Sequence, residues 1–241
     1  MDESTKKITR LFVGLRHNKS YAIKASFLCL LFWLLQFLYQ HYFLNASFNQ
    51  SLIRSFSFSG ATLISLSLLI GPVARLTNFN FVFHRRAVGV WGFTFIILHF
   101  LAVYDFVLKF NISGLLWNTN PFVNLLLLGL VGFVIFIPLY LTSTDWALIR
   151  LGIRKWKFIH RLAYFAYIFA VLHYLNTNPA AMTSLAGRLL LIATGLVVLL
   201  QIIGFLKTIR KTRRKKDLVI GIIIILIGVA LFYIVYTTAR G

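Results

Sequence analysis

The sequence predicts an all-α integral membrane protein, a bundle of about seven transmembrane helices. Three observations support this fold class: 59% of the 241 residues are hydrophobic and only 12% are charged, and the mean hydropathy is +0.84. Soluble domains carry about 25% charged residues. Apolar runs of about 20 residues, enough to cross a bilayer as a helix, follow one another with short polar gaps. We therefore expect the chain to lie in lipid, without a soluble domain.

Seven apolar runs are long enough for one membrane crossing each. They lie near residues 21–43, 58–75, 87–108, 122–141, 158–176, 186–206 and 218–237. The second run is the most polar because it contains serines and Pro72, but a packed bundle tolerates such residues. The predicted organisation is a basic tail (1–20), a six-helix transmembrane domain (21–206), a basic loop (207–217) and an additional C-terminal transmembrane helix (218–241).

The basic residues indicate the orientation of the bundle. A net charge of +20 would suggest nucleic acid in a soluble protein, but here the charges fall in the segments between apolar runs. The tail and the predicted loops 75–86, 142–157 and 207–217 hold most Lys and Arg, whereas the opposite segments hold only Arg54, Lys109, Arg188 and Arg240. The positive-inside rule then predicts a multi-pass plasma membrane protein with a cytoplasmic N-terminus, an outside C-terminus, lipid contacts and no nucleic-acid partner.

Cysteine usage limits the chemistry of any metal site. Cys29 is the only cysteine, so the chain forms no internal disulfide, no cysteine-ligated iron–sulfur cluster and no C-x-x-C-H haem attachment. Any haem must be held without a covalent bond.

Three histidines lie within or at the ends of predicted spans: His99, His160 and His173. Ionisable residues at membrane depth usually mark a site, and a neutral imidazole is an axial ligand of haem iron. The third and fifth helices run in the same direction, so His99 and His173 both fall in the outer half and can face each other. These positions predict an outer haem-iron site.

His160 marks a second level, at the cytoplasmic end of the fifth helix. It lies 13 residues before His173, a rise of about 20 Å. His84 lies about 22 Å before His99 and is the candidate partner of His160, although an interfacial histidine is ordinarily solvated. On an ideal helix His160 and His173 would point about 140° apart, so a kink or two different directions of haem approach must account for both.

Three stretches carry a resemblance to a known family. They are SGATLISLSLLIGPVARL at 59–76, RRAVGVWGFTFIILHFLAVY at 85–104 and LTSTDWALIRLGIRKWKFIHRLAYFAYIFAVLHYL at 141–175. The last has a Thr-Ser pair, a Leu-Gly, a Trp, and two histidines 13 residues apart in an aromatic-rich helix. From about 59 to 175 the sequence resembles the MsrQ (YedZ) family, the haem-binding membrane subunit of the methionine-sulfoxide reductase system, in the ferric-reductase-like transmembrane group.

The resemblance implies that His99, His160 and His173 bind one or two b-type haems in the six-helix domain. It implies a bacterial inner-membrane protein that carries electrons from a cytoplasmic flavin reductase or a quinol to an extracytoplasmic molybdenum-containing partner, which reduces oxidised methionine. The sequence departs from the family in two ways. It has Ser57-Phe58-Ser59-Gly60 where members have a histidine before Thr-Gly, and it adds a seventh span. Either His84 is a substitute ligand or the protein binds a single haem.

The chain is expected to depend on other proteins for both ends of electron transfer. It has no G-x-G-x-x-G after a strand and no long cytoplasmic segment, so it cannot hold a flavin or nicotinamide domain of its own. Bound FMN or quinone remains compatible with the sequence, and Arg85, Arg86 and Arg161 are candidates for haem propionates or a flavin phosphate. Their ordinary role is that of positive-inside anchors. No substrate-converting site is expected in this electron-transfer subunit.

Two other hypotheses stay open. One is a transmembrane ferric or cupric reductase, which would use the same haems on metal ions outside the cell. The other is a non-redox structural or transport protein, whose buried histidines would be packing residues or proton relays. Proton-coupled transport is disfavoured because the five carboxylates, Asp2, Glu3, Asp105, Asp145 and Asp217, all lie away from the middle of a span.

Overall fold

The computed structural model describes residues 3–77, 82–117, 124–177 and 184–212. These residues form six α-helices and no strand, which confirms the predicted all-α membrane bundle. The helices are α1 (Glu3–Leu38), α2 (Phe48–Leu76), α3 (Val82–Phe106), α4 (Leu125–Leu141), α5 (Asp145–Thr177) and α6 (Leu185–Thr212). A π-helical turn at Tyr39–Phe43 follows α1, and a 3₁₀ turn at Ile112–Leu115 lies between α3 and α4. The predicted seventh span, 218–237, lies outside the described residues.

Five of the described helices are long and apolar enough to cross a membrane. Their membrane-length parts are Tyr21–Phe43, Phe48–Ala74, His84–Phe106, Asp145–Thr177 and Leu185–Ile203. The sixth, α4, has 17 residues, which is the lower end of the range of about 17–25 for a spanning helix. The first six predicted runs therefore each correspond to one described helix.

Two predicted loop boundaries are wrong. Residues 142–157 were expected to form a basic loop, but α5 already begins at Asp145. The Thr144 side chain caps this start by accepting a hydrogen bond from Ala147 N at 3.1 Å, and a carboxylate in the first turn favours a helix N-terminus. At the other boundary α6 continues to Thr212, into the segment 207–217 that was predicted as a loop.

The two ends of the bundle differ in charge. We call the end where α2 joins α3 and α4 joins α5 the basic end, because it carries Arg85, Arg86 and Arg150. We call the opposite end, where α3 leads to the 3₁₀ turn, the distal end. Helix α2 lies centrally and contacts α1, α3, α5 and α6.

Glycines bring α2 and α3 close together. A Cβ added at Gly60 would lie 2.8 Å from Ile96 Cγ1 and 3.1 Å from the Gly92 carbonyl oxygen, and one added at Gly92 would lie 3.0 Å from Ile64 N. Small residues let the backbones of membrane helices approach in this way. This contact sets the position of α3, and therefore of His99, against α2.

Helix α5 has its kink before both of its histidines. Gly152 adopts φ 73° and ψ 156°, the non-helical backbone inside α5, and positive φ is a conformation that glycine adopts readily. Because the kink precedes His160, it does not change the relation between His160 and His173. Their directions still differ by the ideal-helix angle of about 140°, so the two imidazoles lie on different sides of α5.

Candidate functional site

His99 of α3 and His173 of α5 meet inside the bundle. Their ring centroids lie 6.4 Å apart, with an angle of 64° between the ring planes. An imidazole nitrogen lies about 2 Å from a bound first-row metal and about 1 Å from its own ring centroid, so two rings on opposite sides of one metal stand about 6 Å apart. The observed separation fits two axial ligands of one iron.

A backbone contact orients the imidazole of His99. Its Nδ1 lies 3.1 Å from the carbonyl oxygen of Ile53 in α2. A carbonyl only accepts, so Nδ1–H is the donor and Nε2 is left with its lone pair. Such a hydrogen bond on the far nitrogen is the usual way in which a protein sets the tautomer and ring orientation of a metal-binding histidine.

A glycine makes the space for the imidazole of His173. A Cβ added at Gly129 of α4 would lie 2.8 Å from His173 Nδ1 and 3.0 Å from Cε1 and Cγ. A Cβ added at Gly132, one turn later, would lie 3.2 Å from both Phe169 Cβ and the Ala166 carbonyl oxygen. Helix α4 therefore presents a smooth surface on which α5 and its histidine lie.

The two histidines line a cavity of about 90 Å³. Its other lining residues come mostly from α3, α4 and α5, and they are apolar apart from Ser57 and Tyr174. Pockets that enclose organic ligands measure about 300–1,000 Å³, so the helices around this cavity must move apart to admit a macrocycle. The donor set and the apolar walls fit an axially ligated haem.

His160 lies at the basic end with a different set of neighbours. Its Nε2 lies 3.2 Å from Thr142 Oγ1, and its ring stacks on Trp156 with 3.9 Å between centroids. Trp156 Nε1 in turn donates to the Thr142 carbonyl at 2.8 Å. Thr142 Oγ1 donates to the Pro138 carbonyl at 2.6 Å, so it accepts from His160 Nε2–H. In this arrangement Nε2 bears the proton and would have to release Thr142 before binding iron.

His84 lies at the start of α3, where its ring edge contacts Tyr21 of α1 at 5.3 Å between centroids. His84 thus contacts α1, whereas the closest contacts of His160 are with Thr142, after α4, and with Trp156 of α5. Among the described residues no three His, Cys, Asp or Glu side chains cluster as metal ligands. An inner haem between His84 and His160 stays a prediction.

The three arginines proposed for anionic groups differ in environment. Arg86 forms an ion pair with Asp145, and the Arg85 guanidinium packs over Gly71 of α2, with Nη1 3.2 Å from a Cβ added there. Both positive charges act electrostatically on His160. The Arg161 side chain is exposed. Their roles toward propionates or a flavin phosphate stay predictions.

Sequence reasoning missed several residues of the distal site. Ile53 contributes only its carbonyl, which leaves no mark in a sequence. Gly129 and Gly132 are spaced by three in an otherwise bulky apolar helix, and this pattern was a usable signal. Ser57, noted only as a departure from the family pattern, lines the cavity.

A comparison with known families matches the segment that contains most of this site. A family model described as "ferric reductase like transmembrane component" matches residues 56–171, a segment that includes His99 and His160 and ends two residues before His173. Residues 56–171 are thus similar to the ferric-reductase-like transmembrane family. The predicted resemblance is confirmed.

Three similar curated proteins share one name, MsrQ. The chain is 36% identical over 135 residues to the protein-methionine-sulfoxide reductase heme-binding subunit MsrQ of Caulobacter vibrioides, covering 54% of this chain and 62% of the relative. It is 37% identical over 111 residues to MsrQ of Agrobacterium fabrum, covering 46% and 51%. For MsrQ of Brucella anthropi the identity is 31% over 112 residues, covering 46% and 49%. The chain thus covers less than two thirds of each relative.

Proposed function

We propose that this protein is a b-type haem membrane subunit that carries electrons across the bilayer. The observation that supports this most directly is the 6.4 Å separation of the His99 and His173 rings beside an apolar cavity at membrane depth. Similarity to haem-binding MsrQ proteins supports the same function. In our proposal His99 and His173 are the axial ligands of the distal haem.

The residues of the distal site fit an electron carrier better than a substrate-converting centre. A bound haem would supply a one-electron iron couple. His99 of α3 and His173 of α5 would hold the iron together, so no ligand position would be left for a substrate. The Ile53 carbonyl holds the His99 tautomer, and Gly129 allows the His173 ring to lie against α4. These contacts would hold both imidazoles in place around a bound haem.

The proposed orientation places the basic end in the cytoplasm and the distal end outside. The Arg and Lys residues near the ends of α2, α3 and α5 support this orientation by the positive-inside rule. The N-terminus is then cytoplasmic, and a seventh span would leave the C-terminus outside. Bacterial relatives suggest that the membrane is a bacterial inner membrane.

We propose that electrons enter at the basic end and leave at the distal end. The donor would be a cytoplasmic flavin reductase or a membrane quinol, and bound FMN or quinone would lie near Arg85, Arg86 and Arg161. His160, with His84 as a candidate partner, would form an inner haem site if there is one. By similarity to MsrQ, the acceptor would be an extracytoplasmic methionine-sulfoxide reductase subunit containing molybdenum.

A second candidate is a transmembrane ferric or cupric reductase, which the family model itself favours. The two candidates differ in the acceptor. Reduction of Fe(III) or Cu(II) by the purified protein and its electron donor alone would favour the metal reductase, whereas a requirement for a second extracytoplasmic protein would favour the methionine-sulfoxide pathway.

The decisive experiment is an ultraviolet–visible spectrum of the detergent-purified protein, oxidised and dithionite-reduced, with haem quantified per chain. A low-spin b-type spectrum is expected. His99→Ala and His173→Ala should remove the same component, while the control His41→Ala, at a histidine that bonds the Ala46 carbonyl, should keep it. A protein that binds no haem after expression with adequate haem supply would refute the redox function and leave the structural or transport hypotheses.

The same spectra test the inner site. His160→Ala should remove a second, spectrally distinct component if two haems bind, and His84→Ala then shows whether His84 is its other ligand. Retention of every haem in His160→Ala would show that the protein has the distal haem alone.

A further inference from the structure

We propose that residues 107–117, which we call the roof, close the distal side of the His99–His173 cavity, and that Tyr104 and Asn124 are positioning residues that latch the roof. This inference rests on the proposed haem function, because it concerns the exposure of that haem. It assigns residues 107–117 a role in controlling access to the site.

The roof has an inner and an outer side. Leu108 and Leu115 line the cavity together with the two histidines, and Leu115 is only 6% exposed. Between and after them the side chains of Phe110, Ile112 and Trp117 are at least 60% exposed. Among the described residues, this segment therefore lies between the cavity and the surroundings of the distal end.

Tyr104, at the end of α3, holds the first part of the roof. Its hydroxyl donates to the Phe110 carbonyl at 3.0 Å, and Phe110 N donates to the Tyr104 carbonyl at 3.0 Å. Lys109 and Phe110 both adopt positive φ, 50° and 62°. Non-glycine residues rarely adopt this conformation, which persists when surrounding contacts impose it. The contacts to Tyr104 are such contacts.

Asn124, just before α4, holds the last part of the roof. Its side chain is fully buried, and its Nδ2 donates to the Leu115 carbonyl at 2.8 Å. The Oδ1 of the same side chain caps α4 by accepting from Leu127 N at 3.4 Å. One amide thus has two separable functions: the oxygen caps the helix, and the nitrogen holds the roof residue that lines the cavity.

A closed roof would change the properties of the distal haem in two measurable ways. An apolar, dry shell around a redox centre controls solvent access and shifts the reduction potential. Oxidised haem iron carries one more positive charge than reduced iron, so exclusion of water favours the reduced form. Opening the roof should lower the midpoint potential of the distal haem and speed its reaction with small reagents added from outside.

Three variants separate the roof function from helix capping. Asn124→Ser keeps a capping hydroxyl, because Ser and Asn are comparable N-caps, but its side chain is too short to reach the Leu115 carbonyl. Asn124→Ala loses both contacts. Tyr104→Phe removes only the hydroxyl that bonds Phe110. The matched control is Asn176→Ser, because Asn176 Nδ2 also donates to a backbone carbonyl, that of Leu172 at 2.7 Å, but within α5.

Two measurements report how often the roof opens. The first is the rate at which ferricyanide, added outside proteoliposomes, oxidises the reduced haem. The second is amide hydrogen exchange of residues 107–117 in detergent, which requires no haem. Loss of one hydrogen bond should raise the open population, and with it both rates, by about five- to tenfold in Asn124→Ser and Tyr104→Phe. The midpoint potential should fall in both variants, and Asn176→Ser should match the unmodified protein.

The opposite result would overturn the proposal. Suppose that Asn124→Ser and Tyr104→Phe show the same hydrogen-exchange and ferricyanide-oxidation rates as the unmodified protein, while Asn124→Ala is destabilised. Asn124 would then act only as a helix cap, and residues 107–117 would not be a latched roof. If the protein binds no haem, the proposed function fails, but the hydrogen-exchange measurement still decides whether the roof closes the cavity.

Discussion

Gly129 of α4 lies directly against the imidazole of His173, so closely that a Cβ at this position would stand 2.8 Å from His173 Nδ1. Real Cβ atoms do not approach a ring nitrogen so closely, so a side chain at this position would force the ring or α4 to shift. The position of a proposed haem ligand on α5 therefore depends on the absence of a side chain on α4.

The first prediction concerns this contact. Gly129→Ala should displace the His173 ring by about 1 Å and reduce haem bound per chain by about tenfold, because ligand geometry tolerates little misplacement. Gly195→Ala is the control, since a Cβ added at Gly195 meets nothing within 4 Å. Pyridine-haemochrome quantification per chain measures the difference. Full haem content in Gly129→Ala would show that His173 does not hold the haem in this position.

The second prediction concerns the kink in α5. A Cβ at Gly152 also meets nothing within 4 Å, but Gly152 has φ +73°, so only backbone strain opposes a side chain there. We expect Gly152→Ala to lower the free energy of unfolding by about 1–2 kcal/mol. Gly195→Ala, inside a regular helix, should raise it by about 0.5–1 kcal/mol. Unfolding of both variants in mixed detergent micelles measures this, and equal effects would contradict the strain argument.

The third prediction concerns a buried hydroxyl group that joins three helices. Tyr167 Oη of α5 contacts Ser65 Oγ of α2 and Thr194 Oγ1 of α6 at 2.8 Å. In Tyr167→Phe both neighbours keep backbone acceptors in their own helices, the Ala61 carbonyl at 2.9 Å and the Leu190 carbonyl at 2.7 Å. No buried donor is left without an acceptor.

The loss of stability in Tyr167→Phe should therefore stay at about 0.5–1.5 kcal/mol, without a change in the haem spectrum. Thermal unfolding in detergent measures it, with Tyr42→Phe as the control because the Tyr42 side chain is 68% exposed. A loss much larger than this range would mean that the hydroxyl network holds the three helices together.

The fourth prediction concerns the ion pair between Arg86 of α3 and Asp145 of α5. The side chains are 32% and 44% exposed, so solvent and salt screen their attraction. A double-mutant cycle with Arg86→Gln and Asp145→Asn should give a coupling energy of about 1 kcal/mol or less in thermal unfolding. The coupling should shrink further at 1 M salt. A larger, salt-insensitive coupling would show that the pair is shielded at the basic end.

The transmembrane bundle was predictable because hydropathy is a property of consecutive residues. Six of the predicted runs correspond to described helices, and the depths of His99 and His173 followed from counting residues along two helices of the same direction. The start of α5 was missed because its basic residues look like a loop, whereas the Thr144 cap and Asp145 begin the helix.

The sequence by itself determined the membrane class, the order of the helices and the level of each histidine. Only the tertiary structure decided which groups surround those histidines: the Ile53 carbonyl beside His99, Gly129 against His173, Thr142 beside His160, and Leu108 and Leu115 in the cavity lining. The reason is physical. The length of an apolar run depends only on consecutive residues. Which helix faces meet depends instead on contacts between distant residues, such as the close approach of Gly60 and Ile96. It also depends on the loop after α3, which is hydrogen-bonded to Tyr104 and Asn124.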